Sequence, residues 1–195
     1  MEKVRFGIIG CGTIAKRFAK ALQKSPCADL VSCASRDLSR AQAFAGEQSG
    51  DVPVRAYGDY QALLDDPEVQ AVYIATVNST HAEIAGMAIR AKKAVICEKP
   101  FFTNAQEAEK TIALAREHHV LIMEGFWTRT VPAYLKALEW VRSGRIGDIT
   151  QIRAAFCFNI PYNEQTKTNR LFDPETGGGA FYDVGVYPYE YVTGI

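Results

Sequence analysis

Apolar runs of four to seven residues alternate with longer stretches of helical spacing along the first two thirds of the chain. The apolar run Val4 to Ile9 is short enough for a parallel strand covered on both faces. It runs into Gly10-Cys11-Gly12, and then the stripe Ile14, Phe18, Leu22 predicts a helix over 13–24, ended by Ser25-Pro26. Ala28 to Ala34 reads as a second strand, followed by an alanine-rich helix over 38–48 with Asp37 as its N-cap. After the turn at Gly50-Asp51-Val52-Pro53, Val54 to Ala56 reads as a short strand, and Asp59 caps a short helix ending at Leu64. Ala71 to Thr76 is a strand, Ser79 caps a helix over 80–91, and Ala94 to Cys97 is a strand running into Glu98-Lys99-Pro100. Thr103 or Asn104 starts a long helix to His118, and Val120 to Glu124 is a further strand. Alternation of this kind predicts a doubly wound α/β domain with a parallel sheet and helical crossovers, over residues 1–125.

The pattern changes in residues 126–195. Pro132 to Val141 is helical, 143–148 is a turn, and Ile149 to Phe158 alternates like a long antiparallel strand. Residues 160–176 are polar and loop-like, and Gly177-Gly178-Gly179 opens a last helix. One long strand and one helix cannot cover their apolar faces and edges. The tail therefore reads as the beginning of an α+β domain, incomplete here, with a partner chain that completes the sheet as the alternative.

Charge and composition narrow the function classes. Lys+Arg and Asp+Glu are both 22, so a polyanion partner such as nucleic acid is disfavoured. No run of 18 apolar residues spans a membrane, and the N-terminus carries no signal peptide pattern. Cys11, Cys27, Cys33, Cys97 and Cys157 read as reduced core thiols of a cytoplasmic protein, and no Cys/His spacing suggests a metal.

Gly10-x-Gly12-x-x-Ala15 fits a dinucleotide-binding turn, with Thr13 and Ile14 opening the helix over the phosphates. Helix N–H groups and the positive dipole end favour a pyrophosphate there. Ser35-Arg36-Asp37 follows about 20 residues later, where a carboxylate holds the ribose of NAD or an arginine the 2′-phosphate of NADP. Arg36, with Ser35 and Arg40, favours NADP over NAD. Thr76 and Asn78 lie at a strand's carboxyl end and line the cofactor cleft, and His81 is a weaker candidate because it packs or caps locally. Glu98 and Lys99 stand at the cleft mouth, where a lysine can hold a hydroxyl or transfer a proton; the bland alternative is a surface ion pair. Asp183 and Tyr187 are four apart on a helix and share a face, and a lysine ammonium brought near would stabilise the phenolate. Trp127 can wall an apolar substrate site and Arg129 can bind oxygen atoms, or both are hinge packing.

The glycine turn, Glu98-Lys99-Pro100 and Gly178-Gly179-x-x-x-Asp183-x-Gly185-x-Tyr187, in this order, resemble the Gfo/Idh/MocA oxidoreductase family over the whole chain. Within it, Glu124 to Arg129 and Asp183 to Tyr187 are similar to the branch of dihydrodiol and NADP-dependent xylose dehydrogenases. The resemblance implies an N-terminal Rossmann domain and a C-terminal domain with an open, mostly antiparallel sheet, which carries the substrate site and a homo-oligomer contact. It also implies Lys99 as the catalytic lysine, Tyr187 as the proton-transfer residue with Asp183 beside it, and a cis Lys99–Pro100 bond. Many sugar and inositol dehydrogenases of the family carry histidine in place of Tyr187, so this chain departs from them there. The expected activity is NADP-dependent oxidation of a sugar or vicinal-diol hydroxyl. An NAD-dependent sugar or inositol dehydrogenase and a catalytically silent NADP-binding regulator stay open as alternatives.

Overall fold

The computed structural model describes residues 2–50 and 52–195. The chain forms two compact units, Met1–Glu124 and Gly125–Ile195. Among the described residues the first holds six strands: β1 (Val4–Ile9), β2 (Ala28–Ala34), β3 (Arg55–Tyr57), β4 (Ala71–Ile74), β5 (Ala94–Cys97) and β6 (Ile122–Glu124). All pairings are parallel and the order is β3-β2-β1-β4-β5-β6. The order reverses between β1 and β4, which makes a crevice at their carboxyl ends. Five helices cross over: α1 (Thr13–Gln23), α2 (Leu38–Gln48), α3 (Tyr60–Leu64), α4 (His81–Arg90) and α5 (Ala105–His118). The predicted α/β, doubly wound architecture is thus the observed one.

The period-2 geometry of strands explains why these runs are apolar throughout. Ile8, Cys33 and Tyr73 point to one face, where they meet Ala15, Ala19 and Leu22 of α1 and Ala41 and Phe44 of α2. Ile9, Ala34, Val72 and Ile74 point to the other, against Leu63 and Leu64 of α3 and Ile84, Ala85 and Ile89 of α4. Burial of each such Ile, Leu or Phe contributes about 1.5–3 kcal/mol. The buried stripe of α1 is Ala15, Ala19 and Leu22, not the expected one beginning at Ile14, which is 40% exposed. Small alanines let the helix lie close on the sheet, and Ile14 is turned to the solvent side.

Caps set the helix starts. Asp37, Asp59 and Asn104 each accept a backbone N–H of the helix they precede. Ser79 does not cap α4 as expected. It lies inside a 3₁₀ turn, Asn78–Thr80, and α4 begins at His81 with no side-chain cap. β3 begins one residue later than the sequence reading, and β4 and β6 are shorter than expected by two residues each. All five cysteines are free, but Cys27 and Cys157 are exposed, so the core-thiol expectation holds only for Cys33 and Cys97.

In the second unit, α6 (Pro132–Arg142) starts with Pro132, whose missing N–H is no loss in a first turn. A π turn, Phe181–Gly185, leads into α7 (Val186–Gly194). Pro188 falls in the first turn of α7 and ends no helix. The expected strand over Ile149 to Phe158 is not formed: among the described residues these have no ladder partner, and Ile149, Phe156 and Phe158 are exposed. Alternation gives a segment two faces, but a strand exists only when a neighbour takes its backbone N–H and C=O groups.

Candidate functional site

The strand register builds the site. Ile9 is level with Ala34 and Ile74, Ala34 with Tyr57, and Ile74 with Cys97. One residue further along each strand, at the same edge, come Gly10, Ser35, Ala75 and Glu98. Four segments that are far apart in sequence are thereby brought to one crevice.

Gly10 has φ +96°, and a Cβ there would sit 2.6 Å from the Ala75 carbonyl oxygen. Only glycine lets β1 turn this close to β4. Gly12 differs: a Cβ there would meet nothing within 4 Å. It is the N-cap of α1, no side chain caps that end, and no acidic residue lies in the first turn. Open space in front of exposed helix N–H groups is what a pyrophosphate needs. Thr13 and Ile14 flank that space and are exposed.

At the end of β2, Ser35 is buried and its hydroxyl oxygen accepts the Asp37 N–H at 3.3 Å. Arg36 and Arg40 are exposed. The Asp37 carboxylate is committed to its cap, accepting Ser39 N–H at 2.9 Å and Ser39 O–H at 2.7 Å. These bonds hold its pKa below the ordinary carboxylate value. The carboxylate that could take a ribose diol is therefore turned to α2, and cationic groups face outward. Sequence reasoning missed Tyr60, which lies within electrostatic reach of Arg36. Burial pushes its pKa up and the Arg36 charge opposes that rise. The Asp59 cap, which starts α3 at Tyr60, is the local signal that would have found it.

After β4, Thr76 is half-buried and Asn78 is buried at the crevice edge. His81 opens α4. It is 0% exposed, with Nδ1 3.0 Å from the Pro100 carbonyl oxygen and Nε2 3.4 Å from that of Thr76. The ring has no accessible surface and ties two loops together. After β5, Glu98 accepts the Tyr73 O–H and the Lys99 N–H, the latter at 3.2 Å. Tyr73 stacks on Phe18 of α1 at 3.8 Å, so Glu98 is anchored in the core. Lys99 is half-buried and its bond to Pro100 is cis. Glu124 at the end of β6 accepts the Phe101 N–H at 2.8 Å, which fastens the loop after Pro100.

The second unit holds a cavity of about 390 Å³ lined by Trp127, Tyr134, Arg153, Phe156, Tyr187 and Tyr191, among others. That is a size suited to a small ligand. Trp127 is 54% exposed, and its indole N–H donates to the Tyr187 oxygen at 3.3 Å. Phe126 and Phe156 pack against the Tyr187 ring at 6.0 and 5.1 Å. Tyr191, which also lines the cavity, packs edge-on against Tyr134. Asp183 lies in the π turn, its N–H donating to the Gly179 carbonyl at 2.9 Å. Gly178 has no room for a Cβ, which would lie 2.3 Å from the Arg170 carbonyl oxygen. Arg129 pairs with Glu190, a partner the sequence did not reveal.

Among the described residues no helix is long and apolar enough to cross a membrane, and no cluster of His, Cys, Asp or Glu is placed to hold a metal. The profile of the oxidoreductase family with an NAD-binding Rossmann fold matches residues 4–126, and that of the GFO/IDH/MocA C-terminal domain matches residues 134–194. The chain is 37% identical over 192 residues to a trans-1,2-dihydrobenzene-1,2-diol dehydrogenase of Mus musculus, covering 97% of this chain and 55% of that one. A Xenopus tropicalis protein of the same name is 36% identical over 191 residues, with 97% and 56% covered. Among solved structures, the 3-ketoreductase KijD10 of Actinomadura kijaniata, in complex with NADP and TDP-benzene, superposes with a TM-score of 0.81 at 37% identity, covering 96% of this chain and 55% of that one. A putative NADPH-dependent oxidoreductase of Desulfitobacterium hafniense gives a TM-score of 0.86 at 26% identity, covering 99% and 55%. The chain spans just over half the length of these relatives. Two profile matches in sequence, with relatives of this identity over nearly all its residues, show that the chain belongs to the Gfo/Idh/MocA family of oxidoreductases.

Proposed function

We propose that the first unit binds NADP(H) and that the chain serves an oxidoreductase acting on a sugar or vicinal-diol hydroxyl. One observation carries the cofactor reading. The open space at Gly12 faces an uncapped helix end, Arg36 and Arg40 lie exposed beyond β2, and Asp37 is withdrawn into its cap. The NADP complex of the similar ketoreductase supports the same choice.

In this reading the first-turn N–H groups of α1 hold the pyrophosphate. Arg36, with Ser35 and Arg40, holds the 2′-phosphate, because a planar fork of donors matches phosphate oxygens. Thr76, Asn78 and Glu98 line the nicotinamide half of the crevice. The nicotinamide, when bound, supplies or accepts a hydride. Lys99 and Tyr187 act as the acid/base pair. The tyrosine oxygen takes or returns the hydroxyl proton, and the lysine ammonium stabilises the phenolate while that proton is away. Asp183 orients the pair. Trp127 walls the substrate side, and Arg129 is held in place by Glu190. We assign the remainder of the substrate site, and a homo-oligomer contact, to sheet beyond that which this chain forms. The five free thiols support the cytoplasm as the compartment.

Turnover with NADP⁺ against a panel of aldoses and trans-dihydrodiols tests the reading. Lys99→Ala and Tyr187→Phe are each expected to lose turnover while keeping NADPH affinity. Wild-type rates in both variants would refute the pair. NADPH binding with no turnover on any diol or sugar would favour a silent regulator.

A further inference from the structure

We propose that the 3₁₀ turn Trp127–Thr130 is a positioning clamp on Tyr187, in which the indole N–H of Trp127 aims the phenol and Arg129, gripped by Glu190, holds the turn in place. Both halves of the clamp lie in the second unit. Tyr187 and Glu190 are three apart on α7 and share a face. The turn meets that face twice. Trp127 Nε1 donates to the Tyr187 oxygen at 3.3 Å, and the Arg129 guanidinium pairs with the Glu190 carboxylate. Inside the turn, the Thr130 hydroxyl donates to the Trp127 carbonyl oxygen at 2.7 Å, and Thr128 is buried.

The strut is strong because one end has largely left the solvent. The Glu190 side chain is 12% exposed, whereas that of Arg129 is 59% exposed. A carboxylate that far out of water needs a cation, and Arg129 supplies it. Aromatic rings hold the phenol from other sides. Phe126 meets Tyr187 edge-on at 6.0 Å, Phe156 lies 5.1 Å away, and the Trp127 ring is tilted by 53° at 5.6 Å. An indole N–H can only donate, and a phenol oxygen accepts on its lone pairs. The Trp127 bond therefore occupies the acceptor side of the Tyr187 oxygen and turns its O–H away from the indole.

The catalytic part of the proposal rests on the reading of Tyr187 as the proton-transfer residue and deepens it; the clamp itself does not. In the carbonyl-reducing direction the substrate carbon accepts a hydride from the reduced nicotinamide, and its oxygen takes the Tyr187 proton. The O–H bond broken at Tyr187 is matched by the one made on the product alcohol, and the phenolate recovers its proton from solvent. Negative charge thus develops on the very oxygen at which the indole N–H already points. A hydrogen bond to an ionised acceptor is roughly twice as strong as one to a neutral acceptor, so the Trp127 bond is worth more in the transition state than before it. A bond of that kind acts on kcat, whereas an aromatic wall that only holds substrate acts on KM.

The test uses the intact chain. Labelling with ¹⁵N-tryptophan gives indole N–H signals for Trp127 and Trp140, the two tryptophans, and Trp140→Phe assigns them. Tyr187→Phe keeps the ring and removes the oxygen, so it should move the Trp127 indole proton upfield and leave that of Trp140 in place. Glu190→Gln removes the charge that grips Arg129 with little change of shape, and should move the Trp127 signal in the same direction. An unmoved Trp127 signal in Tyr187→Phe would overturn the clamp, and an unmoved one in Glu190→Gln would overturn the part given to Arg129. Kinetics use NADPH and the oxidised product of whichever sugar or diol the wild-type chain turns over. Trp127→Phe keeps an aromatic wall without the N–H. It should lower kcat roughly tenfold and keep KM within about threefold. Trp127→His retains a ring N–H and should recover part of the lost kcat, with circular dichroism confirming the fold of both variants. A raised KM at wild-type kcat in Trp127→Phe would overturn the positioning role. No turnover by the wild-type chain would refute the oxidoreductase reading and the role in proton transfer with it, while the indole signal judges the clamp by itself.

Discussion

Adding one methyl group at Gly10 or at Gly12 should have opposite consequences, although the two glycines are two residues apart. At Gly10 the new Cβ would lie 2.6 and 2.8 Å from the carbonyl oxygen and carbon of Ala75, at a φ of +96°. Positive φ outside the left-handed helical basin costs a non-glycine residue about 1–3 kcal/mol. Relief of a clash with β4 backbone adds about 1–3 kcal/mol of the kind seen on overpacking. Gly10→Ala should therefore lose about 2–6 kcal/mol, a fall in Tm of roughly 4–24 °C for a chain of this size. At Gly12 the added Cβ meets nothing within 4 Å and φ is −90°. Alanine is a poorer N-cap than glycine by up to about 1 kcal/mol, and its narrower unfolded ensemble returns about 0.4–1 kcal/mol. Gly12→Ala should therefore keep its Tm within about 4 °C of wild type, yet its methyl would occupy the space assigned to the pyrophosphate. Differential scanning calorimetry and NADPH fluorescence on both variants check the argument. A destabilised Gly12→Ala, or one that binds NADPH as wild type does, would refute it.

Other consequences are as specific. Asp37→Ala removes a cap and should cost about 1 kcal/mol of stability with no change in NADPH affinity, as measured by urea titration. Asp66 is a pH-dependent strut. Burial pushes its pKa up, but the Glu68 N–H, Arg55 and Tyr57 outweigh that and hold it below 3.8. Its contribution is complete above the unfolded value and is lost as pH falls through the lower folded value. The drop in urea midpoint from neutral to acid pH should therefore be smaller in Asp66→Asn than in wild type. Tyr73→Phe takes the O–H from Glu98 and should weaken turnover more than NADPH affinity, as shown by steady-state kinetics beside a binding titration.

Much of the first unit was legible in the sequence because its signals are local. An apolar run of strand length, a glycine where β1 meets β4, and Asp or Asn caps each act within a few residues. Their register then follows from the parallel ladder. What escaped depends on pairs distant in sequence. Tyr60 beside Arg36, Tyr73 beneath Glu98 and Glu190 on Arg129 are made neighbours only by the fold. His81 follows β4 toward the crevice, and only the fold shows its ring turned inward to bridge Thr76 and Pro100. Ile14 misled in the opposite sense, since close packing of α1 selects Ala15 and Ala19. The alternating segment 149–158 shows the remaining limit: the pattern records a face to be covered, and the strand needs a neighbour to exist.

Parallel fluorescence titrations of NADPH and NADH, on wild type and Arg36→Ala, test the central claim most directly. A charge-assisted contact with phosphate is worth about 1.5–3 kcal/mol, so wild type should bind NADPH roughly ten- to a hundredfold more tightly than NADH. Arg36→Ala should lose most of that preference by weakening NADPH alone. Equal or tighter binding of NADH by wild type, or an Arg36→Ala protein that still prefers NADPH as strongly, would contradict the account.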